Sequence, residues 1–161
     1  MDHNPIRALV HARALLARDA QTRAILRDVR RPEEILTDRD LVHLLDLSRP
    51  VAVLLVAVLH FIPDEHDAYA AVRTLVDAMA PGSFLVVSHV EQCPELEAAV
   101  RHYKQANAPA VPRSVDEIAR FFDDLDLISP GLVNVQRWRP DDQKPCLDGD
   151  VPCYGGIGVK R

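Results

Sequence analysis

The segment Pro50–Glu65, PVAVLLVAVLHFIPDE, constrains the fold more than any other part of the chain. Its apolar run, Val51–Leu59, is unbroken and ends at His60, and a helical pattern then begins at Pro63-Asp64. A strand so rich in valine and leucine is expected to be buried on both faces, as in a parallel sheet covered by helices. Ligands of such sheets bind beyond the carboxyl ends of the strands, which makes His60 the first candidate site residue.

The composition is that of one ordinary globular domain. The chain has 161 residues, of which 27% are charged and 48% hydrophobic, enough for a core of its own. The formal net charge of −5 argues against a nucleic-acid surface. No apolar run approaches the roughly 20 residues of a membrane span, and the start MDHNPIRALV lacks the pattern of a secretory signal. We therefore expect one cytoplasmic domain over residues 1–161, without nucleic-acid or membrane partners.

Residue types that bind metals occur in two places. Cys146 and Cys153 would suit a metal if a histidine joined them, but no CxxC spacing is present, which favours free thiols. The run from His60 to Asp67 contains two histidines and three acidic residues. Helix capping and a solvated first turn explain those acidic residues more simply. The sequence therefore predicts no metal site, and it leaves Cys93 as a thiol without a marked partner.

Helical and strand patterns alternate along most of the chain. Helices are predicted over Ile6–Ala17, Pro32–Leu45, from Asp64 to a stop at Pro81-Gly82, Pro94–Asn107 and Ser114–Asp123. Strands are predicted over Thr22–Arg27, Val51–Val58, Phe84–Val90, Leu125–Arg137 with an interruption at Pro130-Gly131, and Val151–Lys160. The segment Asp141–Asp150 is predicted as a polar loop. This alternation predicts a three-layer α/β sandwich. The last two strands lack a helix between them and predict an antiparallel C-terminal hairpin.

Six segments of the sequence resemble segments of a known protein family and occur in the same order along the chain. They are DHNPIRALVHARALL, DVRRPEEIL, RPVAVLLVAVLHFIPDE, PGSFLVVSHV, SVDEIARFFDDLDLISPGLVNVQRWRPD and YGGIGVKR. Together they resemble the Rossmann-like S-adenosylmethionine-dependent methyltransferases, in particular a bacterial family of S-adenosyl methyltransferases, the former DUF574 group. The resemblance implies methyl transfer from S-adenosylmethionine to an acceptor, which we expect to be a small molecule.

The resemblance also implies which residues contact the cofactor. Asp2, with His3 beside it, corresponds to the position that binds the ribose hydroxyls; read without the family, Asp2 is a terminal residue or helix cap. Asp28 corresponds to the residue that accepts a hydrogen bond from the adenine amino group, with Val29 against the ring. A turn or cap before Pro32 is the alternative role of Asp28.

Two histidines that end neighbouring strands are candidates for the chemistry. By resemblance, Ala57 to His60 form the floor beside the reactive sulfonium. His60 is then a candidate to position the substrate or to act as a base, since its ordinary pKa lies near 6.5; a buried histidine satisfied by backbone groups is the alternative. His89 ends the strand Phe84–Val90, so we expect both imidazoles to face one cleft, with His89 toward the substrate.

The glycines do not follow the family pattern. The family has a first strand with a DxGxG-type turn, but no glycine precedes Gly82 in this chain. The late Gly155-Gly156-x-Gly158 is not followed by a helix and is expected to be a β turn or bulge. A nicotinamide-dependent enzyme is disfavoured because the fingerprint turn is absent. The chain is therefore expected to match the family's C-terminal part, without the first strand and most of the second.

An incomplete sheet has a consequence for partners. In related methyltransferases the strand order is 3-2-1-4-5-7-6, so Val51–Val58, which corresponds to strand four, would have an open edge. Such an edge predicts self-association, or else a move of Thr22–Arg27 into the empty position. A non-catalytic module for oligomerisation or partner binding is accordingly the alternative to an enzyme.

Overall fold

The fold centres on one five-stranded mixed sheet in a computed structural model that describes residues 10, 21–63, 66–94, 110–140 and 151–161. The strands are β1 Ala52–Val56, β2 Phe84–Val90, β3 Leu125–Leu127, β4 Val133–Asn134 and β5 Cys153–Lys160. The predicted helix Ile6–Ala17, apart from Val10, and the predicted helix Pro94–Asn107, apart from Pro94, lie outside the described residues. The predicted loop Asp141–Asp150 lies outside them entirely.

The strand order confirms the predicted mixed α/β sheet. The order is β1-β2-β5-β3, with β4 also paired to β5. Strands β1 and β2 are parallel, whereas β5 is antiparallel to β2, β3 and β4. This arrangement matches strands 4-5-7-6 of the order that the resemblance implies. The antiparallel C-terminal hairpin is thereby confirmed.

Four short helices accompany the sheet in the described part of the chain: α1 Pro32–Leu36, α2 Arg39–Leu44, α3 Ala68–Ala78 and α4 Val115–Ala119. The single helix predicted over Pro32–Leu45 is wrong, because α1 ends at Leu36 and Asp38 caps α2 by accepting from the backbone N–H groups of Asp40 and Leu41. The predicted capping box is confirmed at α4, where Ser114 and Glu117 exchange hydrogen bonds.

The strand predicted over Thr22–Arg27 is wrong, because residues 22–28 form neither helix nor strand. They have not moved beside β1, which has a strand neighbour on one side only within the described chain. A strand requires a partner for its backbone, whereas this segment is held by a side chain: Arg27 forms an ion pair with the buried Asp38.

One face of the sheet forms the core. Leu55, Leu85 and Val87 pack there against α3, and the 3-10 turn Arg120–Phe122 completes the cluster. The opposite side of β1 is exposed, since 62% of Leu54 and 53% of Val56 are accessible to solvent. The expectation that this strand is buried on both faces is therefore wrong, because the described helices cover one face alone.

The glycine cluster near the C-terminus lies within β5, so the expected turn or bulge is wrong. A Cβ atom at Gly156 would lie 3.1 Å from Cζ of Phe122, and one at Gly158 would lie 2.9 Å from Cβ of Leu125. Glycine at these positions lets Phe122 and Leu125 pack closely on the sheet.

Lys160, in β5, binds the end of α3. Its ammonium group donates to the carbonyls of Val76 at 2.9 Å, Asp77 at 3.0 Å and Met79 at 2.7 Å. These carbonyls lie in the last turn of the helix or just beyond it, where a positive charge is favourable. The Val76 carbonyl also accepts from the N–H of Met79. The lysine thus fixes α3 to the sheet that it covers.

Candidate functional site

The candidate site lies where β1 ends. Ala57 has a positive φ of 54°, a left-handed conformation that is rare for residues with a side chain. Its N–H donates to the hydroxyl of Ser88 at 3.0 Å, which ties the bend to β2. The chain then enters the 3-10 turn Leu59–Phe61, and this turn places His60 at the carboxyl end of the sheet.

His60 is 6% exposed, and its Nδ1 atom is buried with no hydrogen-bond partner within the described structure. The backbone carbonyl of His60 accepts from the N–H of Val111 at 2.7 Å. Its ring lies 4.3 Å from the ring of Phe61, between centroids. Burial, and secondarily the charge of Arg113, lower the pKa of His60. The imidazole is therefore neutral near pH 7, with an unused ring nitrogen.

His89 is fully buried, and both of its ring nitrogens are bonded. Nε2 lies 2.8 Å from Nη1 of Arg113, and Nδ1 lies 2.8 Å from the carbonyl of Val90. Because a guanidinium only donates, Nε2 is the acceptor and Nδ1 carries the proton. Burial is the largest cause that lowers the pKa of His89 to about 4. The ring is thus a neutral part of the core.

The two histidine rings lie beside each other, with centroids 5.5 Å apart and near-perpendicular planes. That both face one ligand cleft remains a prediction. His60 has the unused nitrogen, whereas His89 lies behind it. Contact between His89 and a substrate remains a prediction, and the bonding of its ring favours a supporting role.

Arg113 is the site residue that the sequence did not reveal. It is 4% exposed, and its guanidinium lies 3.3 Å from the carbonyl oxygen of Leu59 and 3.5 Å from that of Ile62. These contacts join residues more than fifty positions apart, and the only local signal was an arginine next to the capping residue Ser114.

Asp28 and Val29 lie on the turn before α1. The carboxylate of Asp28 accepts from the backbone N–H and the guanidinium of Arg30, and this side-chain hydrogen bond is the largest cause that lowers its pKa. Val29 packs against the core cluster. Asp28 is therefore a turn residue in this structure, which was the alternative interpretation of the sequence. A hydrogen bond from the adenine amino group to Asp28 remains a prediction.

Several candidates lie outside the described residues. Asp2 and His3 are among them, as are Asp64, Glu65 and Cys146. Within the described chain, no helix has the length and apolar character to cross a membrane.

The sequence and the fold are similar to those of known methyltransferases. A sequence profile of a family described as S-adenosyl methyltransferase matches residues 1–161. A DUF574 family protein from Streptomyces avermitilis has 33% identity and a TM-score of 0.87 over 97% of this chain and 62% of its own length. A candidate methyltransferase from Thermobifida fusca YX has 35% identity and a TM-score of 0.84 over 95% of this chain and 59% of its own. The chain thus spans about three fifths of these relatives.

More distant structures agree on the fold alone. The N-methyltransferase NodS from Bradyrhizobium japonicum WM9, in complex with S-adenosyl-L-homocysteine, has 16% identity and a TM-score of 0.57 over 96% of this chain and 62% of its own. No curated protein matches the chain. The profile match over the full sequence and the two relatives above 30% identity confirm the resemblance that the sequence motifs indicated. The chain belongs to the S-adenosyl methyltransferase family, in the group that includes the DUF574 proteins.

Proposed function

We propose that this chain takes part in methyl transfer from S-adenosylmethionine to a small-molecule acceptor, at the carboxyl ends of β1 and β2. One observation carries the proposal: the buried Nδ1 atom of His60 has no hydrogen-bond partner within the described structure. An unsatisfied buried nitrogen is costly unless a ligand completes it. Family membership identifies the cofactor class.

The residues present fit part of such a cofactor site. S-adenosylmethionine supplies an electrophilic methyl group when it is bound. Asp28 would accept from the adenine amino group, with Val29 against the ring, and Asp2 with His3 would hold the ribose. The Asp28 carboxylate is partly exposed, so it can accept this bond beside that of Arg30. Ala57 is exposed and small, which leaves room for close approach at the end of β1.

His60 is the residue of this chain that we expect to bind the methyl acceptor and to take up its proton. Its imidazole is neutral near pH 7, so Nδ1 can accept a hydrogen bond from an acceptor O–H or N–H group. With the methyl group supplied by the bound cofactor, Nδ1 would orient the acceptor's O–H or N–H group and would take up the proton that this group gives up. Orientation accounts for most of the advantage in such a displacement, since effective molarities reach roughly 10⁵–10⁸ M.

Calorimetry with S-adenosylhomocysteine tests the proposal. We expect micromolar binding that weakens at least tenfold in His60→Ala and in Asp28→Ala. His43→Ala is the matched control, because His43 is an exposed histidine on α2. No binding up to millimolar ligand would refute the proposal for this chain. The cytoplasmic location is also proposed, and cell fractionation tests it.

We propose as a second function that another copy of the chain binds the outer edge of β1, which has no strand neighbour among the described residues. Val51 and Ala57 bond to β2 through their backbones, so the alternate residues Ala52, Leu54 and Val56 direct their N–H and C=O groups to the free edge. The strand has no charged residue or proline, the usual deterrents to edge pairing.

The strand is suited to pair with its own copy. In an antiparallel pair centred on Leu54, Ala52 of one copy faces Val56 of the other, and all three residues exchange backbone hydrogen bonds. The two-fold axis keeps the exposed side chains of both copies on one continuous apolar face.

The mass of the particle in solution tests this interface. We expect a concentration-dependent dimer that Leu54→Lys converts to a monomer. Val42→Lys is the control, because Val42 is 58% exposed and lies on α2, outside β1. A wild-type chain that stays monomeric at high micromolar concentration, measured by sedimentation equilibrium, would overturn it.

A further inference from the structure

We propose that Arg113 is the positioning residue of this site: its guanidinium holds the Leu59–Ile62 turn and the His89 ring, and thereby fixes His60 for its ligand. The inference rests on the proposed function, because it gives His60 its ligand-binding role. Arg113 itself is buried, with 4% of its surface exposed.

The backbone of Arg113 is anchored to the end of β2. Its N–H donates to the carbonyl of Val90 at 3.2 Å, and its own carbonyl accepts from the N–H of Gln92 at 2.9 Å. It forms an isolated parallel bridge with Glu91. The side chain therefore begins from a fixed point beside the strand that ends in the site.

The guanidinium spans the turn that carries His60. Its Nη1 lies 3.3 Å from the carbonyl oxygen of Leu59 and its Nη2 lies 3.5 Å from that of Ile62, on either side of His60 in sequence. The Leu59 carbonyl also accepts from the N–H of Ile62 at 3.1 Å within the turn, so the guanidinium is a second donor to it. One rigid, planar group thus holds both ends of the turn, a geometry that a lysine ammonium does not reproduce.

The remaining surroundings of the guanidinium prevent it from moving. The ring centroids of Tyr69 and Phe121 each lie 5.6 Å from its central carbon, within cation–π range. The Nε2 atom of His89 accepts a hydrogen bond from Nη1. The His60 ring packs edge-on against His89, so the ring that Arg113 fixes is also the wall against which His60 rests.

In this arrangement Nδ1 of His60 is without a hydrogen-bond partner in the described structure. Arg113 donates to backbone carbonyls on both sides of His60 and to the neighbouring His89 ring. Its positive charge also disfavours protonation of His60. The arginine thus orients the histidine through hydrogen bonds to neighbouring groups, and the nitrogen proposed to bind the ligand is not one of those groups.

Three variants test the inference: Arg113→Met, Arg113→Lys and Arg120→Met. Arg120 is the matched control, since its guanidinium stacks on the Tyr69 ring at 4.3 Å but it lies at the surface. The first readout needs no ligand: amide hydrogen exchange at Phe61, Ile62 and Val111, whose N–H groups bond within or to the turn. We expect at least tenfold faster exchange in both Arg113 variants, with Arg120→Met unchanged.

The second readout is the affinity for S-adenosylhomocysteine, together with the ¹⁵N shift of the His60 ring on binding. We expect at least tenfold weaker binding in Arg113→Met, partial recovery in Arg113→Lys, and wild-type behaviour in Arg120→Met. Wild-type exchange in folded Arg113→Lys would overturn the positioning role, as would unchanged affinity in either Arg113 variant. Faster exchange without binding by any chain, wild type included, would support the hold on the turn and refute the proposed function.

Discussion

Arg113 donates a hydrogen bond to Nε2 of His89 across 2.8 Å, and this pair determines where the proton of the imidazole lies. The opposite nitrogen must then carry the hydrogen, which it donates to the carbonyl of Val90. A proton added at Nε2 would face the guanidinium and lose this bond. Folding therefore selects one neutral tautomer of His89.

Acid should destabilise the fold through this histidine. Its pKa falls from 6.5 to about 4 on folding, so the unfolded chain binds a proton between those values that the folded chain does not. The contribution to the free energy of unfolding is complete above pH 6.5 and is lost as the pH falls toward 4. Such a difference is worth about 3 kcal/mol. Urea unfolding across this pH range measures it.

The variant His89→Gln provides the comparison for this titration, because its amide oxygen can accept from Arg113 but does not titrate. We expect a shallower dependence of the unfolding free energy on pH than in the wild type. An equal slope in both proteins would assign the acid sensitivity to other groups.

Adding a methyl group inside β5 should destabilise the sheet. In Gly158→Ala the new Cβ would lie 2.9 Å from Cβ of Leu125 and 3.0 Å from Cδ1 of Phe122, so backbone-anchored atoms must shift. Overpacking of this kind costs about 1–3 kcal/mol. Gly155→Ala should cost less, because its nearest neighbour is a Val135 methyl group at 3.1 Å on a partly exposed side chain. Thermal unfolding that ranks the two variants equally would contradict the packing argument.

Removing the ammonium of Lys160 should loosen α3. Lys160→Met retains much of the side-chain volume but leaves the carbonyls of Val76, Asp77 and Met79 without this donor. We expect a loss of about 1–3 kcal/mol of stability, as for hydrogen bonds to charged groups. Arg161→Met removes an exposed ion pair with Asp126 and should leave the denaturation midpoint unchanged. Equal effects of the two variants would disprove the capping role of Lys160.

The bend at Ala57 should accept glycine but not a branched residue. Its φ of 54° is strained for any residue with a Cβ atom. Ala57→Gly relieves that strain, whereas Ala57→Val increases it and should cost about 1–3 kcal/mol. Chemical denaturation compares the two variants, and a valine variant as stable as the glycine variant would show that the bend is not constrained.

Local sequence signals predicted part of this fold accurately. The strand Phe84–Val90 has the predicted bounds because a Pro-Gly turn precedes a continuous apolar run. The Ser114–Glu117 capping box formed because its hydrogen bonds are local to one turn. The position of His60 at the end of β1 followed from the apolar run that precedes it.

Features that depend on distant residues were not predictable in this way. Thr22–Arg27 has strand-like residues, but strand formation depends on an available partner. Arg113 contacts carbonyls 51 and 54 positions away, and no sequence spacing encodes such contacts. The turn or bulge predicted at the glycines of β5 was wrong because the side chains that pack against Gly156 and Gly158, those of Phe122 and Leu125, lie far away in sequence.

The position of β5 also determines when this sheet can form during synthesis. Residues 153–160 follow every other described strand in the chain, yet they lie between β2 and β3. Until this segment leaves the ribosome, β3 and β4 have no strand to pair with and β2 has β1 alone. The described sheet is therefore completed only after β5 has been synthesised, since β5 is the strand to which β2, β3 and β4 all pair.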